Sequence, residues 1–238
     1  MTRHAILTAE AHRSLRVRTE RGTAMGDAVM SCLVVPSEFR QVQNEYPILF
    51  RLNEQRDAFA PLAMFGFEAG ENLYLQGSEW DARYRPLAME IQPFLIGGGP
   101  DDTTPKQVHI DLDSPRIGGD EGIRIFDDHG QPTPYLEQVA EHLGALDEGF
   151  RGTAAFLAAL ERHALLEPFT LEVTLDDGSI NRLVGFHTID EDRLRSLDAA
   201  ALAELHTADH LLPIFMAIAS LANIGALVAR KNRQAGHG

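Results

Sequence analysis

The sequence predicts an α+β protein with an antiparallel β-rich core and a helical C-terminal portion. Three observations carry this. Short apolar runs bounded by Gly, Pro, Asn and Asp crowd the first 130 residues. An Asp176-Asp177-Gly178-Ser179 turn sits between two alternating stretches, a strong hairpin pattern. From residue 190 onward the pattern is helical, with aspartates placed to cap. With 238 residues, 44% of them hydrophobic and 24% charged, the chain can bury a substantial core. No internal repeat or low-complexity linker divides it, so a single domain spanning 1–238 is expected.

Taken in order, Leu15-Arg16-Val17-Arg18 alternates like a short edge strand, and Ala28–Val35 is an apolar strand closed by Pro36. Ser37 is placed to cap a short helix through Glu45, with Phe39 and Val42 on its inner face. Tyr46–Leu52 and Ala58–Phe67 read as strands joined by the polar turn at 53–57. The Gly97–Lys106 stretch has the wrong spacing for a phosphate loop, and Pro105 removes a backbone donor, so it is expected to be a mobile surface hairpin. Val108–Leu112 and Ile123–Phe126 follow as short strands, completing a β-rich region over 1–130. Helices are expected over 134–166, the first capped by Thr133 with Pro134 in its first turn and the second starting near Thr153. The hairpin occupies 168–189. C-terminal helices fill 191–231, with Asp190 and Asp198 as caps and one long last helix from about Leu211 to Lys231.

The net charge of −14 argues against nucleic acid, whose phosphates are held by clustered Lys and Arg, and against an anionic membrane surface. Cys32, the single cysteine, lies in an apolar run and reads as a buried, inert thiol. The N-terminus lacks the apolar block of a signal peptide, so a cytoplasmic location is expected. Glu71–Gly77 is close to a viral-protease tag, but Leu75 replaces the phenylalanine that site requires and the flanks are coherent. Leu211–Ala229 carries no charge and is long enough to span a bilayer. Pro213, Ser220, Asn223, Gly225 and many alanines, with Leu211, Ile214, Ile218, Leu221 and Val228 near one face, favour a buried or interface helix. A homodimer stays open.

At Tyr46-Pro47-Ile48, Glu71-Asn72-Leu73, Trp80–Pro86 and Pro93-Phe94-Leu95 the chain resembles the soluble SapC family of bacterial proteins. The likeness continues through Val108–Asp113, Phe126–Gly130, the Asp177-Gly178 hairpin with Gly185, and Ala219–Asn223. The resemblance implies no assigned reaction. It implies companions such as TonB-dependent receptors, flavin-dependent halogenases and cupin-like hydroxylases, and hence an accessory or binding protein whose partner is a protein or small ligand of an uptake locus. It excludes the peptide-transporter permease of similar name, which needs several spanning segments. Two positions depart from the family. Many relatives carry a small residue or cysteine in place of His109, and two arginines in place of Ile91-Gln92.

Three groupings could carry chemistry. His109-Ile110-Asp111 on a strand would point an imidazole and a carboxylate to one side, half of a two-histidine-one-carboxylate iron centre. His187 or His129 would supply the missing ligand, and Arg193 or Arg182 would hold 2-oxoglutarate, giving a non-haem Fe(II)/2-oxoglutarate oxygenase as the alternative function. Against it stands an ordinary hydrogen-bonded pair at a strand end. Trp80, Arg83, Tyr84 and Arg85 could line an aromatic, cationic ligand pocket, or be a core tryptophan beside solvated arginines. His206, Asp209 and His210 share one helical face and read as a metal patch or as capping residues. The sequence contains no serine elbow, zinc-protease histidine motif or dinucleotide glycine fingerprint.

Overall fold

The computed structural model describes residues 3–53, 55–97 and 106–235. The chain forms two compact units, each assembled from separated stretches. The first comprises Met1–Asp27, Leu75–Asp81 and Leu87–Glu148; the second comprises Ala28–Tyr74, Ala82–Pro86 and Gly149–Gly238. The architecture is α+β with antiparallel sheets and C-terminal helices. The glycine-rich stretch 98–105 lies outside the described residues.

In the first unit the strand Gln107–Asp111 is the middle of a three-stranded antiparallel sheet, flanked by His4–Ile6 and Phe94–Gly97. Ile110 is fully buried, whereas Val108, His109 and Asp111 are half-buried. The expected edge strand forms at Arg16–Val17 and pairs with Ile123–Arg124. Thr133 does not cap the following helix as expected. Its hydroxyl donates to the Arg124 carbonyl at 2.8 Å, tying the helix start back to that strand.

A carboxylate between two guanidiniums organises this unit. Asp27 is fully buried; its Oδ1 lies 2.7 Å from Arg116 and 3.5 Å from Arg21, and its Oδ2 accepts from the Gly22 amide at 2.8 Å. Arg116 also donates to the Glu20 carbonyl and Arg21 to that of Met89. Buried charge survives only when it is paired and hydrogen-bonded in this way.

The second unit holds a five-stranded antiparallel sheet in the order Leu166–Thr174, Ile180–Ile189, Ile48–Leu52, Phe59–Met64, Ser31–Leu33. Ile48, Leu49 and Phe50 are buried consecutively, so this strand is covered on both faces, as its unbroken apolar run requires. The Asp177-Gly178 hairpin forms where expected, with Gly178 at φ 84° and the Asp177 carboxylate accepting from the Ser179 amide. Gly185, also at φ 84°, lies beside the register shift between Phe169 and Leu171, a bulge that its missing Cβ permits.

Three more helical expectations change. Ser37 is not a side-chain cap; Glu38, at the end of the 3-10 turn Pro36–Glu38, accepts from the Val35 amide at 3.0 Å instead. The two helices expected over 134–166 are one, Pro134–Arg162. Thr153 does not interrupt it because its hydroxyl bonds back to the Gly149 carbonyl four residues earlier, within the helix. Conversely, the single long last helix is two, Leu211–Ser220 and Asn223–Ala235, joined by a tightened turn. Asp190 and Asp198 cap their helices as expected, accepting from the amides of Arg193 and Ala201.

Candidate functional site

His109 and Asp111 do share one side of their strand, but Ile110 between them takes the core side. The His109 ring lies against Gly97, so closely that a Cβ added there would fall 2.0 Å from Nε2. Asp111 Oδ1 accepts from the Asp113 amide at 3.0 Å, closing a local turn. His129 is exposed in the turn that the Asp127 carboxylate organises, and backbone donors from Gln131 first hold that carboxyl below its usual range. His187 belongs to the second unit, on the strand Ile180–Ile189, with its ring edge-on to Phe59 at 4.8 Å. Burial, and then the charge of Arg56, pull its pKa down.

Both guanidiniums proposed for an oxo-acid have protein partners. Arg193 donates to the His163 carbonyl at 2.9 Å, and Arg182 pairs with Glu172 at 2.7 Å. Among the described residues, no group of three or more His, Cys, Asp or Glu side chains is placed to hold a metal ion, His206, Asp209 and His210 included. His210 instead packs edge-on to Phe156.

The residues of the aromatic grouping are divided between the two units. Trp80 is buried in the first unit, paired with Leu75 in a small hairpin. Arg83, exposed, and the half-buried Tyr84 and Arg85 belong to the second unit. The Tyr84 hydroxyl donates to Glu38 Oε2 at 2.7 Å, and burial followed by the Glu38 charge pushes its pKa far above the usual phenol value. The Tyr84 carbonyl accepts from the Tyr46 hydroxyl at 2.6 Å, and the Tyr46 ring packs edge-on to Phe65 and tilted against Tyr74. Burial and then Glu38 also push up the Cys32 thiol, which keeps it protonated and poorly nucleophilic.

The motif residues of the second unit thus form a framework. Glu71 accepts from the Phe67 amide and pairs with Lys231, while Arg230 lies 4.2 Å over the Tyr74 ring. Tyr74 donates to the Glu45 carbonyl and Asn223 to that of Gln43. A model of the SapC family matches residues 7–227, across both units. The chain belongs to the SapC family. Comparisons with curated proteins and with solved structures give no match.

An open groove lies elsewhere in the second unit of this SapC protein. This groove of about 340 Å³ runs between the Pro36–Gln41 turn and the start of the helix Leu211–Ser220. Pro36, Leu212, Pro213 and Met216 give it an apolar floor; Ser37, Arg40, Gln41 and Asp209 supply the polar rim. Arg40 and Asp209 are exposed, and neither forms an ion pair among the described residues. Sequence reasoning missed this site because its two halves are some 170 positions apart. Pro36-Ser37 was legible only as a helix start, and Asp209 only as part of a histidine patch.

Proposed function

We propose that this SapC protein is a cytoplasmic accessory protein of a receptor-linked nutrient-uptake or protein-modification system, and that it holds a peptide segment of its partner in the Pro36–Met216 groove. The observation that carries the reading is the pairing of an apolar floor with two exposed charges of opposite sign that have no ion-pair partner among the described residues. A groove of this size and mixed lining suits a small, partly apolar ligand fixed by a few polar contacts. Peptide carboxylate or Asp/Glu groups would face Arg40, and amino or Lys/Arg groups would face Asp209. The family setting of uptake-locus companions supplies the class of partner.

The test is tagged recovery from the native host with identification of bound proteins, repeated with Met216→Asp and Arg40→Glu. A carboxylate on the apolar floor should weaken retention at least about tenfold, or ~1.4 kcal/mol. Reversing Arg40 should weaken association chiefly at low salt. Recovery of no uptake-locus protein, together with turnover of a substrate by the isolated chain, would sink the reading.

A further inference from the structure

The segment Leu211–Gln234 is long and apolar enough to cross a membrane by length and composition, yet only 28% of its most apolar window is buried. Its buried side is accounted for. Ile214 and Leu227 are fully enclosed, and Ser220 Oγ accepts from the Ile48 amide at 2.8 Å. The other side is exposed: Leu212 at 55%, Phe215 at 51%, then Ala219, Ala222, Ala226 and Ala229. These positions alternate three and four residues apart, the spacing of a helix-pairing seam. A straight helix would let such a seam drift about 20° per heptad. Here the amides of Leu221, Ala222 and Ile224 bond to carbonyls only three residues back, an overwinding that acts against that drift.

We propose that this face pairs with the same face of a second copy of the chain, antiparallel, about a two-fold axis near Ala219 and Ala222. Size complementarity fixes the direction. The large residues, Leu212 and Phe215, stand at one end of the seam, and alanines with Gly225 fill the other. Antiparallel pairing sets Phe215 against Ala226 and Leu212 against Ala229, whereas parallel pairing would stack Phe215 on Phe215. The rest of an acidic chain of net charge −14 repels a second copy, but the stretch Leu211–Ala229 is uncharged. A strip of about 28 Å along the helix axis is smaller than the ~800 Å² per partner of a standard interface. The pairing is therefore a reversible dimer of micromolar strength rather than an obligate one.

The seam shares Leu212 with the groove, so the test uses the full chain alone, with no groove partner present. Sedimentation equilibrium from about 1 to 500 µM should show a monomer–dimer transition in this range, and Ala222→Glu should weaken it at least about tenfold by placing like charges at the axis. In a Cys32→Ser background, Phe215→Cys mixed with Ala226→Cys should cross-link on oxidation, and neither variant should couple efficiently to itself. A protein that stays monomeric throughout overturns the proposal, as does self-coupling of Phe215→Cys that outpaces the mixed reaction. Flotation with phosphatidylcholine vesicles that Phe215→Asp abolishes would assign the face to a membrane instead.

Discussion

The Glu38 carboxylate takes the Val35 amide on one oxygen and the Tyr84 hydroxyl on the other, and its side chain is only 4% exposed. Removing the hydroxyl with Tyr84→Phe keeps the ring but deprives a buried charge of a donor. Hydrogen bonds to charged groups contribute about 1.5–3 kcal/mol, which in a chain of this size lowers Tm by roughly 3–12 °C. An unchanged Tm would show that the bond contributes nothing. His187 and His210 make a second prediction. Burial is the largest cause of the depressed pKa at both, and Nδ1 of each is enclosed without a hydrogen-bond partner among the described residues. A base depressed in the fold is protonated first in the unfolded chain, so the stability it contributes is present above about pH 6.5 and is lost as pH falls below it. Tm should therefore fall between pH 7 and 5, and His187→Gln with His210→Gln should flatten that fall. The depressed carboxyls of Asp127 and Asp177 act in the same direction but only below their ordinary range near 3.8, which separates the two windows. At this scale the sequence placed His109 and Asp111 on one side of a strand correctly. Which side faced the core was illegible, because it depends on Ile110 and on neighbours more than a hundred positions away at His4–Ile6.

Secondary elements were more legible than their joints. Strand periodicity, the Asp177-Gly178 turn and the aspartate caps are local in origin, and each appears where the sequence placed it. Helix continuity is not local: Thr153 carries a cap-forming side chain, yet the residues on either side are buried through Leu146 and Phe156 and hold the helix Pro134–Arg162 together. Its glycines separate the two effects experimentally. Gly144 is exposed with open space where a Cβ would go, so Gly144→Ala should stabilise by about 0.5–1 kcal/mol through helix propensity alone. At Gly149 the same Cβ would fall 2.5 Å from a Val35 methyl. Overpacking costs typically ~1–3 kcal/mol, so Gly149→Ala should be destabilising despite the same propensity gain. Denaturant midpoints of the two variants moving in the same direction would show that the helix is not pressed against Val35.

At the scale of the whole molecule, the C-terminal segment decides between a core element and an appendage. Leu211–Gly238 contributes Ile214 and Leu227, both fully buried, and accepts the Ile48 amide on Ser220 at the centre of the five-stranded sheet. Its later turns place Arg230 over Tyr74 and join Lys231 to Glu71 and Glu68. Burial pulls the Lys231 ammonium down, but the hydrogen bond and charge of Glu71, reinforced by Glu68, raise it overall, so the contribution of this pair is retained until pH exceeds the ordinary lysine value. Deleting Leu211–Gly238 would uncover two large aliphatic cavities' worth of surface at about 1.5–3 kcal/mol per buried side chain. It would also leave the Ile48 amide without its acceptor, at a further ~1–3 kcal/mol. Those losses are comparable with the whole ~5–15 kcal/mol by which a domain is stable. The truncated chain should therefore be insoluble or melt without cooperativity, whereas Phe215→Asp and Ala222→Glu, on the opposite face, should fold with a Tm within a few degrees of the parent. A truncated chain that stays soluble and melts cooperatively would show instead that the segment is no part of the core, and the exposed face would then belong to an independent anchor.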